Sequence, residues 1–462
     1  MNDSAKGSWK IINLKISGIK NIEKEIKIKF LNETLDSSKS IKLKNKRIKT
    51  IYGTNGSGKS AIMTAMDLYK NITSLPGYIS QEEVIRELDS IINVKTREFN
   101  IEVVFAYLDE NRVEAVLKHH IRVFKGNLVP YQIEEYCYTA QDIKNLNGSY
   151  SLVYSNIDGN LYSPQKKGLA VDLKMELERQ RLTTTSVSSL AMVALLKYLS
   201  LKKETKKFEM EDGDLDFPFN LVLIYGFSIS IKVYLDIKDR HQFKNPYIDI
   251  KKKLKNTQIS EEILTLLNND SEKYYYSSLE DEVSKGNFNS YLQSIKGIEE
   301  FIRIIKPGLN KISISKKIFG NSYRCRKIFE YDFGSVDLEY ESTGIKKMVD
   351  LYSYINSAFE GGIVFIDEID ANISGVFLDK LMACFNEYGL GQLCFTSHNY
   401  YSMNKLKKIV SITTIGETGM VVEIPKNGNQ NPANSFYDGD ILDSPFNILE
   451  NDFYRIFVDQ GE

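Results

Sequence analysis

Residues 51–66, IYGTNGSGKSAIMTAM, contain the motif that decides the fold class of this chain. Within them, Gly53-Thr54-Asn55-Gly56-Ser57-Gly58-Lys59-Ser60 matches the phosphate-loop pattern G-x-x-x-x-G-K-[ST]. An alternating stretch, IKLKNKRIKTIYG, leads into the loop, and residues 61–72 carry apolar side chains at helical spacing. Strand, glycine-rich loop and helix is the context that the motif requires. The stretch therefore predicts a nucleoside triphosphate site, and a chance match in a turn is the weaker interpretation.

The loop residues have separate roles in such a site. Successive backbone N–H groups enclose the phosphates, and glycine is needed where the backbone approaches too closely for a Cβ. Lys59 is expected to reach the β- and γ-phosphates, and the Ser60 hydroxyl is expected to bind Mg²⁺. The residues expected to contact the nucleotide are Gly53, Asn55, Gly56, Gly58, Lys59, Ser60 and Ala61.

Two apolar strands in the last third of the chain end in side chains suited to phosphoryl transfer. IVFI precedes Asp367 and Glu368, and QLCFTS precedes His398. An acidic pair alone is more often an exposed strand end, and a lone histidine is more often structural. Together with the phosphate loop, the pattern assigns Asp367 to the Mg²⁺ shell and Glu368 to orienting and deprotonating the attacking water. His398 is assigned a hydrogen bond to the γ-phosphate.

The segment Glu341-Ser342-Thr343-Gly344 precedes a stretch of helical periodicity that runs to Phe359. Serine and glycine at a helix start form an anion site from free N–H groups and the helix dipole. The alternative is that Ser342 or Thr343 only caps the helix. Both can hold, because the cap geometry points N–H groups outward.

This order of motifs resembles that of the ABC-type ATPases, including the SMC and RecF-like proteins. The form ESTGIKKM is similar to the variant found in the OLD-like AAA ATPases of bacterial phage defence, such as the AbiL and PARIS ATPase subunits. Ser342 and Gly344 match the family's S-x-G motif, and Asp370 matches the carboxylate of its D-loop. The residues after Asp370, ANIS, depart from the family's usual ending. The resemblance therefore does not support a cross-subunit role for Ser374.

The resemblance implies a fold and a function. The implied fold is α/β, an ABC-type ATPase head with a mixed, largely parallel sheet flanked by helices and an inserted, mainly helical middle region. The implied function is a slow, regulatory ATPase with ATP and Mg²⁺ as cofactors. Two copies of the chain would sandwich ATP, with Ser342, Gly344 and Asp370 contributing across the interface. The dimer, or a higher homo-oligomer, would control a separately encoded effector such as a nuclease or toxin in antiviral defence.

The alternative function is that of a RecF- or SMC-like DNA-maintenance ATPase that clamps DNA. Runs of lysine at 39–49, 202–207 and 251–255 would suit a nucleic-acid backbone, although such runs are more often solvated faces. A long coiled coil would favour the SMC branch, but the sequence shows no sustained heptad repeat. Gln132 and Gln141 are weak candidates for the glutamine that senses the γ-phosphate through Mg²⁺ in the family.

Length and composition set the remaining expectations. The 462 residues predict more than one lobe, and the 60 basic and 61 acidic residues nearly cancel, so no global charge drives the chain onto nucleic acid or a membrane. The four cysteines have no C-x-x-C spacing and are expected to be reduced thiols, with Cys384 and Cys394 in the core. No apolar signal region or membrane span is visible, which makes a cytoplasmic location the expectation.

The expected division of the chain follows the motifs. Residues 1–140 form the N-terminal part of the head with the phosphate loop and an antiparallel β subdomain, and 141–330 form the inserted region, a sensor or docking surface. Residues 331–425 form the C-terminal part of the head, and 426–462 form a tail. Within 141–330, NLVLIYGFSISIKVYLDI at 220–237 has the composition of a strand.

Overall fold

The protein is described from a computed structural model, which covers its sheets and the phosphate-loop region. The described residues are 7–31, 46–75, 77–109, 112–127, 129–142, 148–157, 160–164, 188–191, 216–235, 280–399, 404–416, 419–424 and 433–434. The predicted helix at 173–201, except for 188–191, and most of the predicted tail lie outside this set. So do the lysine runs, except for 46–49.

The described part of the chain contains the following strands and helices. The strands are β1 Ser8–Ser17, β2 Ile26–Lys29, β3 Ile48–Tyr52, β4 Glu98–Asp109, β5 Arg112–Lys125, β6 Tyr131–Ala140, β7 Tyr150–Ile157, β8 Asn160–Tyr162, β9 Ile231–Tyr234, β10 Asp281–Ser284, β11 Leu309–Phe319, β12 Ser322–Tyr331, β13 Gly334–Asp337, β14 Ile363–Ile366, β15 Gln392–Thr396, β16 Ser411–Ile415 and β17 Val421–Ile424. The helices are α1 Lys59–Ser74, α2 Glu82–Ile91, α3 Asp216–Ser230, α4 Phe288–Ile305, α5 Thr343–Phe359 and α6 Gly375–Tyr388.

The six-stranded sheet carries the candidate site. Its order is β17-β16-β3-β15-β14-β9, and every neighbouring pair is parallel except β17 with β16. The strands β3, β14 and β15 are buried along their whole length, as expected for a parallel sheet covered on both faces. The predicted α/β class with a mixed, largely parallel sheet flanked by helices is therefore confirmed.

Two hydrophobic cores cover the two faces of this sheet. One core joins it to α1, α3 and a seven-stranded antiparallel sheet of order β2-β1-β4-β5-β6-β7-β8. The other core packs α5 and α6 on the opposite face. A smaller core joins α4 and the start of α5 to the sheet β10-β12-β11. The phosphate-loop helix α1 thus lies between two sheets, which fixes its orientation.

The seven-stranded sheet confirms the predicted hairpin and extends beyond the predicted boundary. The strands β4 and β5 pair in antiparallel register, as the alternation of residues 97–124 predicted. The strands β7 and β8 continue the same sheet to Tyr162, past residue 140. The described residues of 141–330 also contribute β9 to the parallel sheet. Most of that region lies outside the described residues, so its mainly helical character stays a prediction.

The strand predicted at 220–237 is wrong over its first half. Residues up to Ser230 form the helix α3, and of the described residues that follow, Ile231–Tyr234 form a strand. A continuous apolar run does not distinguish a strand from a helix that is buried on all sides. Residues 221–228 are all buried, and Gly226 packs so closely on Trp9 that an added Cβ would lie 2.3 Å from the indole ring.

The cysteines are free thiols, but one expectation about their burial is wrong. Cys137, Cys325 and Cys394 are buried, whereas Cys384 on α6 is exposed. Met382 and Phe385, which precede and follow Cys384 in sequence, are buried in the core on the other side of α6. No helix in the described ranges is long and apolar enough to cross a membrane.

Candidate functional site

The phosphate loop joins β3 to α1 and has the backbone conformation that its glycines allow. Gly56 and Gly58 have φ angles of 84° and 108°, in the left-handed region that favours glycine. Gly58 is the N-cap of α1, and Asn21, from the turn after β1, donates a hydrogen bond to the carbonyl of Gly56. The loop is therefore supported from below by a turn that the sequence analysis did not single out.

Lys59 lies over the loop and bonds to its carbonyl groups. Its Nζ donates to the main-chain oxygens of Gly53 and Thr54, each at 2.8 Å, and the side chain is buried. Burial lowers the pKa of Lys59, and the carboxylates of Asp367, Glu368 and Asp370 act in the opposite direction. These carboxylates come from the strand end across the sheet, so the structure brings the loop and the acidic segment together.

The residues present fit a bound nucleoside triphosphate. Two buried hydroxyls of the loop, Ser57 Oγ and Thr54 Oγ1, have no hydrogen-bond partner among the described residues. A buried polar atom without a partner is costly, and a phosphate or its associated waters would supply the missing partner. The start of α1 directs its N–H groups and the positive end of its dipole at the same place. The donor set is that of a polyphosphate site.

The two carboxylates predicted to act on the phosphates follow β14. Thr396, at the end of the neighbouring β15, donates from Oγ1 to Asp367 Oδ1 at 2.7 Å and accepts the main-chain N–H of Glu368 at 2.7 Å. One buried hydroxyl therefore fixes both residues. Asp367 is partly buried and Glu368 is exposed, an arrangement that suits a metal-binding oxygen beside a carboxylate open to solvent.

His398 lies beside Glu368 at the end of β15. Its Nε2 is 3.5 Å from Glu368 Oε1, and the two side chains are 40% and 48% exposed. This separation is longer than a good hydrogen bond. The imidazole and the carboxylate thus face the same solvent-accessible space, where each can reach a third group.

Asp370 holds the backbone turn that presents His398. Its Oδ2 accepts hydrogen bonds from Ser397 Oγ at 2.9 Å and from the main-chain N–H groups of His398 and Asn399 at 3.2 and 2.9 Å. Its Oδ1 is buried and has no partner among the described residues. The contacts observed for Asp370 are internal, and its predicted role toward a nucleotide stays a prediction.

The S-x-G segment begins α5 as expected. Ser342 is the N-cap, and its Oγ accepts the main-chain N–H of Ile345 at 3.4 Å. Ser342 and Thr343 are exposed, so the capping and anion-site interpretations remain compatible. Gly344 packs against the turn after Glu368, where an added Cβ would lie 2.6 Å from the carbonyl oxygen of Asn372. The leading Glu341 is buried and bonded to Lys306 and Tyr331.

Some residues of the site were missed by sequence reasoning, and other candidates lie elsewhere. Thr396 and Lys347 contact the acidic segment. They lie within QLCFTS and ESTGIKKM, but the sequence analysis assigned neither of them a role; the one signal for Thr396 is a hydroxyl at the end of an otherwise apolar strand. Gln132 lies in β6 and Gln141 bonds to Ser151 in the seven-stranded sheet. Among the described residues, neither glutamine is hydrogen-bonded to the phosphate loop.

Comparisons with known proteins bear on the fold alone. No protein-family model matches the chain, and no curated protein matches it. Solved structures that it resembles include the SMC head domain from Thermotoga maritima, with 12% identity, a TM-score of 0.33 and coverage of 90% of this chain and 99% of the other. Another is an Smc head domain with a coiled coil and joint from Pyrococcus yayanosii, with 15% identity, a TM-score of 0.42 and coverage of 94% and 99%.

A third similar structure is the Smc head domain with an extended coiled coil from Pyrococcus furiosus, bound to the C-terminal domain of ScpA. Its identity is 15% and its TM-score is 0.40, with coverage of 90% of this chain and 96% of the other. Similarity at this distance describes general architecture, and the site rests on the contacts given above.

Proposed function

We propose that this chain is a Mg²⁺-dependent ATPase switch that associates with a second copy through ATP and controls a separately encoded effector. The observation that carries the proposal is the convergence of three strand ends. β3 ends at the phosphate loop, β14 at Asp367–Glu368 and β15 two residues before His398, and these strands are neighbours in one parallel sheet. The carboxyl ends of parallel strands meet at one edge, which is where α/β folds bind ligands.

The side chains at this edge divide the work of hydrolysis. ATP would be held by the loop backbone, Lys59 and the loop hydroxyls, and Mg²⁺, held by Ser60 and Asp367, would neutralise charge on the phosphates. Glu368 is the exposed carboxylate that accepts the proton of the attacking water. His398, beside it, donates a hydrogen bond toward the terminal phosphate. Lys59 leaves the carbonyls of Gly53 and Thr54 for the phosphate oxygens, which are the stronger acceptors.

Association through ATP is supported by the exposed start of α5. Ser342 and Thr343 face solvent, while Gly344 is in contact with the turn after Glu368. A helix start in this position offers N–H groups to a phosphate bound by another copy. The role in defence and the nuclease or toxin effector follow from the resemblance of the ESTG segment to OLD-like ATPases, and are proposed on that ground.

The first experiment measures the size of the Glu368→Gln variant with ATP and Mg²⁺. We expect it to elute as a dimer or higher oligomer, because the nucleotide stays bound while hydrolysis is blocked. Adding Lys59→Ala should return it to the size of the nucleotide-free protein. A Glu368→Gln variant that binds ATP and remains monomeric contradicts the sandwich, and a Lys59→Ala variant that releases phosphate at the normal rate contradicts the catalytic site.

A second experiment separates the switch from the DNA-clamp alternative. Phosphate release and size are measured with and without duplex DNA at low salt, where backbone contacts are strongest. The switch predicts the same oligomer and the same rate in both conditions. Stimulation by DNA that disappears at higher salt favours the clamp.

A further inference from the structure

The backbone of Glu368 is bound on both sides by side chains from other elements. Its N–H donates to Thr396 Oγ1 at 2.7 Å, and its carbonyl oxygen accepts from Lys347 Nζ at 2.6 Å. The adjacent residues are held too, since Asp367 N–H donates to the carbonyl of Tyr234 and Ile369 N–H to the carbonyl of Thr396. The backbone is therefore fixed at each step while the Glu368 side chain remains exposed.

Glu368 needs such support because its backbone conformation is unfavourable. Its φ angle is 47°, in the left-handed region that residues with a Cβ adopt only at a cost. Conformations of this kind persist when surrounding contacts over-determine them, and they cluster at functional sites. Here the left-handed turn directs the carboxylate away from β14, toward the side on which His398 lies.

Lys347, like Lys59, is a buried lysine near the site. It is 5% exposed, it lies on α5 three residues after Gly344, and its ammonium is 5.8 Å from the centroid of the Tyr234 ring. A lysine whose only role was solubility would extend into water. A buried ammonium bonded to a main-chain carbonyl instead holds that carbonyl at a fixed distance from the helix. It joins the helix that begins with Ser342 and Gly344 to the peptide that carries Glu368.

We propose that Lys347 and Thr396 are positioning residues that hold the Glu368 carboxylate in line for the water it activates. Thr396 fixes Glu368 and Asp367 relative to each other, because its one hydroxyl bonds to both. Lys347 connects this pair to the S-x-G helix. A second copy that binds at Ser342 and shifts this helix would therefore also shift the Glu368 carboxylate. The inference rests on the proposed ATPase function and adds the two residues that position the Glu368 carboxylate.

The test compares a conservative and a non-conservative variant at each position. Lys347→Met keeps the length of the side chain and removes the donor, whereas Lys347→Arg keeps a donor. Thr396→Val keeps the shape and removes the hydroxyl, whereas Thr396→Ser keeps it. Lys380→Met, on the exposed side of α6, is the matched control for loss of a lysine. Each variant is measured for kcat, KM and binding of a fluorescent ATP analogue, and the amide exchange of residues 367–371 is measured without nucleotide.

We expect Lys347→Met and Thr396→Val to lower kcat by about 10- to 100-fold, as for a catalytic group displaced by a fraction of an ångström to 1 Å. Binding of the analogue should be unchanged in Lys347→Met, which keeps the bond between Thr396 and Asp367. Amides 367–371 should exchange faster in both variants. Lys347→Arg and Thr396→Ser should recover most of the loss. Folded Met and Val variants with normal kcat and normal exchange overturn the inference, as does an equal loss in all four variants.

The same measurements keep the two proposals distinguishable. Wild-type protein that releases no more phosphate than Lys59→Ala contradicts the proposed function. The exchange data still decide the inference in that case, because they report on the Glu368 backbone without any turnover. Unchanged exchange in Lys347→Met and Thr396→Val would show that neither side chain holds this residue.

Discussion

Gly344→Ala should separate the S-x-G helix from the turn that carries Glu368, the carboxylate proposed to be catalytic. An alanine Cβ would lie 2.6 Å from the main-chain oxygen of Asn372, and Cβ contacts under 3.0 Å essentially never occur. The helix or the turn must therefore move by at least 0.4 Å. The turn resists this movement, since Asn372 already has a φ angle of 62° and its neighbours bond back to Glu368 and Asp370.

The energetic cost follows from these contacts. Overpacking of a rigid contact typically costs about 1–3 kcal/mol. The higher helix propensity of alanine returns up to about 1 kcal/mol. With about 1 kcal/mol returned, the net expectation is a loss of about 0–2 kcal/mol in the free energy of unfolding. A lower kcat is expected as well, because the displaced turn carries Glu368.

Denaturant unfolding and phosphate release measure the two effects. Gly286→Ala is the control, because an added Cβ there meets no atom within 4 Å, and it should change stability by less than about 0.5 kcal/mol. If Gly344→Ala is as stable and as active as the control, the close packing of the S-x-G helix on this turn does not matter for stability or activity. The helix and the turn that carries Glu368 are then not coupled through this contact.

Other predictions concern buried ionisable groups and thiols. Glu135 is fully buried and accepts hydrogen bonds from His119 and Tyr154. Burial alone would raise the pKa of Glu135, but these bonds lower it. Glu135→Gln should therefore lower the free energy of unfolding by about 3 kcal/mol at neutral pH. That difference in unfolding free energy should shrink as the pH falls below 4.5 toward the lower folded pKa, and a pH-independent difference contradicts the assignment. Burial lowers the pKa of Lys10 to about 8, so wild type should gain up to about 3 kcal/mol relative to Lys10→Met as the pH rises from 8 to 10.5, and a flat difference refutes this. A thiol reagent should label only Cys384 quickly in the native protein, since the other cysteines are buried and burial raises the pKa of Cys325 to about 11; fast labelling of Cys384→Ser would be inconsistent with this.

The elements nearest to motifs were the ones that sequence reasoning located well. The helix expected after the phosphate loop is α1, the strand before Asp367 is β14, and the strand before His398 is β15. Each has a local cause: glycines that allow left-handed turns, a serine that caps α5, or a short apolar run bounded by polar residues. Such signals act between neighbours in sequence, so they can be read without the fold.

Residues whose roles depend on distant partners were missed or misassigned. Residues 220–230 look like a strand because they are continuously apolar, yet they form a helix enclosed between α1 and two sheets. His119 belongs to no sequence motif, yet it forms a fully buried network with Tyr69 and Glu135. Thr396 and Lys347 lie beside motif residues, but their contacts could not be inferred from them, because the groups they bind lie 28 and 21 residues away.

The sequence by itself determined which groups are available for the proposed phosphate chemistry. The phosphate loop, the Asp367–Glu368 pair and His398 are each defined by residue type and local spacing, and these are properties of the chain. The tertiary structure decided that β3, β14 and β15 are neighbours and parallel, which places all three groups at one edge. It also decided that Glu368 is held in a left-handed turn by Thr396 and Lys347, because hydrogen bonds across a fold depend on strand order and helix packing.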